Sequence, residues 1–351
     1  MMFVSNLHIK LVVKYFFICF FVIIAFPLIN SAQTKEVVAL KGDGIYRLLT
    51  RYGLSSAAYM DDFIALNKAN LGKNNTLLAG VKYKLPDSAE ASQTGGGSPT
   101  ETKATGKTVH YDIFGSNYAD VEIKSNDLKG AVYYLVGGHG GPDPGAVGKY
   151  NGYYVYEDEY AYDVTLRLAR RLIEEGATVY LITRDKNDGI RDAVSLKADK
   201  DEVCYPNSTI PLNHVKRLRQ RTDAVNQLYK KHKGSFQRMI AVHIDSRSKK
   251  ENIDIFFYHD KRSKTGKKAS EILRDTIEKK YREHQPNRGY TGTVSSRNLY
   301  VVRNTWPTAI FIELGNMNHQ RDVKRLVIPD NRQAVANWLA LGLISDFRTN
   351  K

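Results

Sequence analysis

Two histidines follow runs that are typical of buried strands, where they could ligate a metal ion. His139 comes after the apolar run 130–136, in the glycine-rich stretch 137–145. His243 comes directly after a second apolar run, residues 238–242. If these strands are parallel, both imidazoles project from the same edge of one sheet. A single histidine in a glycine-rich turn can also be purely structural, so the first signal depends on its partners.

A third ionisable side chain, Glu313, lies inside the apolar run 308–314. A lone ionised carboxylate in such a strand is disfavoured by several kcal/mol unless it is paired. A catalytic carboxylate beside a metal ion explains its presence.

The remaining acidic candidates begin a helix predicted over residues 157–175, which ends at Gly176. Its apolar stripe has helical spacing and consists of Tyr162, Leu166, Ala169 and Ile173. Extending the stripe backward places Glu159 on the buried face, which favours Glu159 as a metal ligand. If the first turn is unwound, Glu157 is the alternative. A structural alternative is that the acidic residues at the start of this helix do not bind metal and only stabilise its N-terminus through the helix dipole.

Two histidines, one glutamate and an open position form a known arrangement of catalytic zinc. Zn²⁺ lowers the pKa of a bound water toward ~7 and polarises a carbonyl group. A nearby carboxylate, here Glu313, can take the proton of the water and deliver it to a leaving amine. The predicted reaction class is therefore amide hydrolysis.

The elements that carry these residues predict an α/β fold with a mostly parallel sheet flanked by helices. Strands are expected at 130–136, 178–183, 238–242 and 308–314, and a second helix at 215–232. Residues 186–211 lack clear periodicity, and we interpret them as a long insertion whose role the sequence does not define.

Composition limits the class of protein. The 351 residues include 52 Lys and Arg, 37 Asp and Glu, and two cysteines, Cys19 and Cys204. Two cysteines exclude a disulfide scaffold and a cysteine-based zinc site. The formal net charge of +15 predicts attraction to polyanions. For an exported protein this favours cell-wall polymers as partners, and we expect no nucleic-acid partner.

The N-terminus predicts export. Lys10 and Lys14 precede the apolar run 15–29, and Ser31 and Ala32 follow it, which is typical of a secretory signal over residues 1–32. An uncleaved N-terminal anchor is the alternative. Once the signal is removed, we expect no stable membrane insertion and a location in the periplasm, in the cell wall or outside the cell.

A small module of residues 33–86 is separated from a large one, residues 107–351, by a stretch without aromatic or large aliphatic residues. This stretch, 87–106, predicts a flexible linker. The small module has the predicted order β-α-α-β. It resembles the LysM module in Gly42–Asp43, in the helix that follows, in Leu66–Asn67 and in the segment closing on Pro86. Gly44 replaces the usual Thr. The resemblance implies binding to N-acetylglucosamine-containing glycans such as peptidoglycan; a small structural piece without ligand is the alternative.

The large module resembles the zinc-dependent N-acetylmuramoyl-L-alanine amidases of the Amidase_3 type. The matching motifs are residues 138–146, 183–185, 242–245 and 312–318, with Leu218, Arg221 and Asn226. The resemblance implies that His139 and His243 ligate zinc, that Glu313 is the catalytic carboxylate, and that the substrate bond joins N-acetylmuramic acid to L-alanine.

One family feature departs from the pattern, because counting to the family's ligand glutamate lands on Ala161. The third ligand must then be Glu159 or Glu157. Competing interpretations are a zinc carbohydrate N-deacetylase or metallopeptidase, and a wall-bound protein that has lost catalysis. Retention of all four site positions argues against the last.

Overall fold

The computed structural model describes residues 35–40, 43–52, 54, 56–72, 75–86 and 106–351. The chain divides into two compact units, residues 1–94 and 95–351. The predicted signal, Cys19 and residues 87–105 of the predicted linker lie outside the described residues. Among the described residues, none of the helices has the length and apolar character needed to cross a membrane.

The small unit has the order β-α-α-β, as the sequence predicts. Its elements are β1 (Glu36–Val38), α1 (Ile45–Arg51), α2 (Ser56–Asn67) and β2 (Lys82–Lys84). The two strands pair antiparallel, with Val37 opposite Tyr83. Asn67 joins α2 to β2, because its Nδ2 donates to the carbonyl of Lys84 at 2.8 Å and its Oδ1 accepts from the Lys84 N–H at 2.7 Å.

The large unit is an α/β domain. Its strands are β3 (Thr108–His110), β4 (Asp120–Glu122), β5 (Ala131–Gly137), β6 (Val147–Tyr150), β7 (Tyr153–Tyr156), β8 (Thr178–Leu181), β9 (Thr183–Arg184), β10 (Val203–Cys204), β11 (Ser208–Thr209), β12 (Phe236–Asp245), β13 (Phe256–His259), β14 (Val294–Ser296) and β15 (Thr308–Asn316). Its helices are α3 (Glu157–Glu174), α4 (His214–Lys231), α5 (Lys264–His284), α6 (Tyr300–Asn304), α7 (Gln320–Val327) and α8 (Pro329–Asn350).

The central sheet has six strands in the order β14-β13-β15-β12-β5-β8. The pairs β15–β12, β12–β5, β5–β8 and β13–β14 are parallel, whereas β13 runs antiparallel to β15. The prediction of a mostly parallel sheet flanked by helices is therefore confirmed. Parallel pairing places the carboxyl ends of β5, β12 and β15 at one edge of the sheet.

Both faces of this sheet are covered, which explains why its strands are continuous apolar runs rather than alternating ones. Along β5, Tyr133 and Leu135 pack into one core with α3, α5 and α8. Tyr134 and Val136 pack into the other core, with α4 and α6. The same alternation puts the side chains of residues 311 and 313 of β15 on the α4 side of the sheet.

Helix α3 is buried on all sides at its start, since every residue from 157 to 169 is buried. Asp163 shows how polar groups are accommodated there: it accepts hydrogen bonds from Arg167 Nε at 2.7 Å and from Arg332 Nε of α8 at 2.6 Å. The apolar stripe of this helix therefore does not mark a unique buried face.

The insertion between β9 and α4 contains more regular structure than the sequence indicates. Strands β10 and β11 lie within it and extend β9 into a three-stranded antiparallel sheet. The strands are only two residues long, which is too short for a hydrophobic period to be visible in the sequence.

Candidate metal centre and active site

His139 follows β5 in a tight glycine-rich loop. Its φ of 60° lies in the left-handed region that residues other than glycine rarely adopt. The neighbouring residue 138 must be glycine because the His243 ring packs against its backbone: a Cβ there would lie 2.5 Å from Nδ1 of His243. Arg221 of α4 donates a hydrogen bond to the His139 carbonyl and so holds the loop in place.

The His139 ring is oriented by a carboxylate that sequence reasoning missed. Its Nδ1 lies 2.9 Å from Asp143 Oδ2, and Arg217 Nη2 donates to the same oxygen at 2.6 Å. Histidine ligands of metals usually donate their second ring N–H to such a carboxylate. The sequence feature that could have identified Asp143 is its position four residues after His139 in the same glycine-rich loop. The other ring nitrogen, Nε2, lies 3.2 Å from Glu157 Oε2.

His243 lies near the end of β12, on the edge where β5 also ends. Its ring stacks on Phe311, with 4.2 Å between ring centroids and 16° between planes. It meets the His139 ring edge to face, with centroids 5.1 Å apart. Its Nδ1 lies 2.9 Å from Glu157 Oε1.

Glu157 is the first residue of α3 and joins both histidines. The backbone N–H of Ala146 donates to its Oε2 at 3.0 Å, and that of Ile244 donates to its Oε1 at 3.1 Å. One nitrogen or oxygen atom from each of His139, Glu157 and His243 lies within 4.8 Å of the others. These three side chains could therefore hold one metal ion.

The expected placement of Glu159 beside the histidines needs correction. Its Oε2 accepts from Arg191 Nη1 at 2.8 Å, and its Oε1 accepts from the Asp199 N–H at 3.1 Å. The apolar stripe does not identify the ligand because α3 is buried on all sides at its start, so a side chain can be buried without facing the histidines. The geometry favours Glu157, the alternative that the sequence left open.

Glu313 of β15 lies directly beside His243 in the parallel register of β12 and β15. It is 7% exposed, and its Oε2 is buried with no hydrogen-bond partner among the described residues. Burial, together with the negative charge of Glu157 and Asp245, raises the pKa of Glu313 well above its usual value. An unpartnered buried carboxyl group of this kind is suited to proton transfer.

The charges of the three clustered residues fit a cation. Burial lowers the pKa of His139, but its hydrogen bonds to Asp143 and Glu157 raise it to about 10. Despite burial, the two histidines hold the pKa of Glu157 well below its usual value. Two carboxylates thus attract positive charge to a set of nitrogen and oxygen donors that zinc prefers.

These residues face a cavity of about 520 Å³. His139, Glu157, His243 and Glu313 all line it. The remaining wall is rich in basic and polar side chains, including His214, Arg217, Arg221, Arg297, Asn298 and Tyr300. The cavity is large enough for part of a polymeric substrate.

The large unit has an α/β fold with a cluster of ionisable side chains at one edge of its sheet, and the family comparison identifies it as a hydrolase. The chain belongs to the Amidase_3 family of N-acetylmuramoyl-L-alanine amidases, whose profile matches residues 134–345, and its large unit is an enzyme of that class. A curated relative is the germination-specific N-acetylmuramoyl-L-alanine amidase of Bacillus subtilis (strain 168), 25% identical over 224 residues, which are 63% of this chain and 81% of that protein.

Solved structures are also similar. Cwp6 from Clostridium difficile is 20% identical with a TM-score of 0.45; the match covers 64% of this chain but only 30% of that one. The CwlD amidase from Clostridioides difficile, solved in complex with the GerS lipoprotein, is 18% identical with a TM-score of 0.46, over 62% of this chain and 99% of that one.

Proposed function

We propose that the large unit hydrolyses the amide bond between N-acetylmuramic acid and L-alanine in peptidoglycan, with Zn²⁺ held by His139, Glu157 and His243. The observation that carries this proposal is the convergence of those three donors and Glu313 on one cavity. Two imidazoles, one carboxylate and an open position are characteristic of catalytic rather than structural zinc.

The chemistry divides between the metal and the chain. Zinc, when bound, supplies an activated water near neutral pH and Lewis acidity toward the carbonyl oxygen. Beside a bound cation, Glu313 would be ionised despite its burial, and its carboxylate would accept the proton of the attacking water and deliver it to the alanine nitrogen as the C–N bond breaks. The products are a lactyl carboxylate on the glycan and a free amino group on the stem peptide.

The experiment is digestion of purified peptidoglycan by residues 33–351, first depleted of metal and then resupplied with zinc. We expect zinc to restore release of intact stem peptides that begin with L-alanine, identified by mass analysis. Release of acetate alone would instead indicate an N-deacetylase, and cuts within the stem would indicate a metallopeptidase.

Asp143 offers a test of the metal site that leaves all three ligands in place. We expect Asp143→Asn to weaken zinc affinity roughly 10–100-fold, because the carboxylate that orients His139 loses its charge. Zinc affinity would be measured by competition with a chelating dye. Asp223→Asn, on the exposed surface of α4, is the matched control and should bind zinc as the wild type does. Equal affinities in the two variants would remove Asp143 from the site.

We further propose that the protein is exported and that the small unit binds the glycan of the cell wall. The β-α-α-β order and the closure of α2 on β2 through Asn67 support the second proposal. The relationship to cell-wall amidases supports the first.

Deleting residues 33–106 is expected to reduce retention on insoluble peptidoglycan by roughly 10²-fold or more, because the second point of attachment is lost. Cleavage of a small soluble muropeptide should be almost unchanged. Sedimentation with peptidoglycan and a soluble-substrate assay measure the two effects. An equal loss in both would show that the small unit forms part of the active site.

A further inference from the structure

Three carboxylates outside the proposed zinc site meet beside it in the interior. Asp158 and Glu159 lie in the first turn of α3, and Glu202 lies within the insertion, immediately before β10. Their exposed fractions are 1%, 2% and 5%. One oxygen from each lies within 4.8 Å of the others. Buried carboxylates at this separation repel one another strongly unless positive charge is present.

One of these carboxylate oxygens has no partner. Asp158 Oδ1 accepts from the N–H of Glu159 at 2.9 Å. Asp158 Oδ2, in contrast, is buried without a hydrogen-bond partner among the described residues. Leaving a buried charged acceptor unsatisfied is costly, and such atoms are rare in folded proteins. A bound cation would give this oxygen a partner.

The protein supplies too little positive charge to this cluster. Among the described residues, one cationic side chain forms an ion pair with the cluster: Arg191 Nη1 lies 2.8 Å from Glu159 Oε2. The same Arg191 nitrogen also contacts Asp188, so its charge is shared. Glu202 Oε2 accepts from the N–H of Gly141 at 2.6 Å, which is a neutral donor.

We propose that Asp158, Glu159 and Glu202 bind a hard divalent cation, of which Ca²⁺ is the best match. The donors are all carboxylate oxygens, the ligand type that Ca²⁺ and Mg²⁺ prefer. Zinc is a poorer match because the cluster offers no imidazole or thiolate. Ca²⁺ also tolerates irregular geometry, whereas Mg²⁺ requires an octahedron and retains several waters, for which a buried cluster leaves little space.

The cluster joins three segments that shape the proposed zinc site. Glu202, from the insertion, accepts a hydrogen bond from Gly141 in the loop that contains His139, and Asp158 and Glu159 directly follow Glu157 in α3. A bound cation would fasten the insertion to the start of α3. This gives the insertion a structural role that its sequence did not reveal.

The test uses the zinc-loaded chain, titrated with CaCl₂ and separately with MgCl₂ while thermal unfolding is followed. Ca²⁺ at about 100 times its Kd should raise the Tm of the wild type by roughly 5–10 °C. Glu202→Gln should not respond to Ca²⁺. In calcium-free buffer this variant should have a higher Tm than the wild type, because one repelling charge is gone while the Gly141 N–H keeps its acceptor.

Asp199→Asn is the matched control. Asp199 belongs to a second, less buried acidic group with Asp185 and Asp188, so a cation bound there would be lost in this variant. We expect Asp199→Asn to retain the full response to Ca²⁺. Loss of the response in Asp199→Asn, with retention in Glu202→Gln, would overturn the proposal.

Terbium luminescence of the wild type tests the site without relying on any variant. Tb³⁺ is excited through nearby tyrosines, and Tyr160 and Tyr162 follow Glu159 in α3. The wild type should show luminescence that Ca²⁺ abolishes, and Asp158→Asn should lose it. A wild type that binds neither Tb³⁺ nor Ca²⁺, with an unchanged Tm, would show that the cluster holds only protons and would contradict the proposal.

Discussion

Replacing Glu313 with Gln is expected to lower the rate of peptidoglycan hydrolysis by roughly 10²–10⁴-fold while zinc remains bound, because proton transfer is lost but the three metal ligands are intact. The Tm of the variant should be close to that of the wild type. Glu313 Oε2 has no hydrogen-bond partner in the described part of the chain, so the neutral amide removes a buried carboxyl group without breaking a bond at that atom. Turnover rate, zinc content and Tm would be measured on the same preparation.

Glu122→Gln is the control for this experiment, since Glu122 is an exposed residue of β4. It should hydrolyse peptidoglycan at the wild-type rate. Near wild-type turnover by Glu313→Gln would remove Glu313 from the mechanism, and loss of zinc from that variant would instead assign it to the metal.

The second large effect separates two glutamates that lie two residues apart. Glu157→Gln should lose stoichiometric zinc and roughly 10³-fold or more in activity, because the metal supplies several kcal/mol of stabilisation to the transition state. Glu159→Gln should keep both zinc and activity, since its side chain faces Arg191 and the N–H of Asp199. Elemental analysis of the two purified variants measures the difference.

This outcome would be the opposite of the preference drawn from the apolar stripe of α3. Zinc retained by Glu157→Gln and lost by Glu159→Gln would restore the sequence-based choice and contradict the geometry described above. The histidine variants His139→Ala and His243→Ala should both lose zinc in the same measurement.

The sheet and the positions of three site residues could be predicted because strand burial is visible in the sequence. The runs that became β5, β12 and β15 are apolar on both faces, and parallel pairing brings their carboxyl ends together. This is sufficient to place His139, His243 and Glu313 at one edge. Their chemical roles remain predictions, which the variants above would test.

The third position was less predictable because helical periodicity gives only an angle about the helix axis. Periodicity identifies a ligand when one face is buried, but α3 is buried around its whole circumference at this end. The partner of each acidic side chain is then decided by distant segments. Arg191, in the insertion, donates a hydrogen bond to Glu159, while the backbone N–H of Ile244 donates one to Glu157.

Asp143 and the cluster at Asp158 were missed for a related reason. Asp143 contacts both His139 in its own loop and Arg217 in α4, which is distant in the sequence. The partners of Asp158 include Glu202, which approaches it only because the insertion folds back over α3. Contacts of this kind depend on loop conformation, for which hydrophobic patterns contain little information.

The proposed function is tested by identifying which bond of peptidoglycan the enzyme cleaves. Peptidoglycan would be digested by the zinc-loaded chain in water enriched in heavy oxygen, and the products would be analysed by mass spectrometry. We expect one heavy oxygen in the lactyl carboxylate of the N-acetylmuramic acid product and an unlabelled stem peptide with a free amino-terminal alanine. Heavy oxygen in released acetate, or in a carboxylate inside the stem peptide, would contradict it.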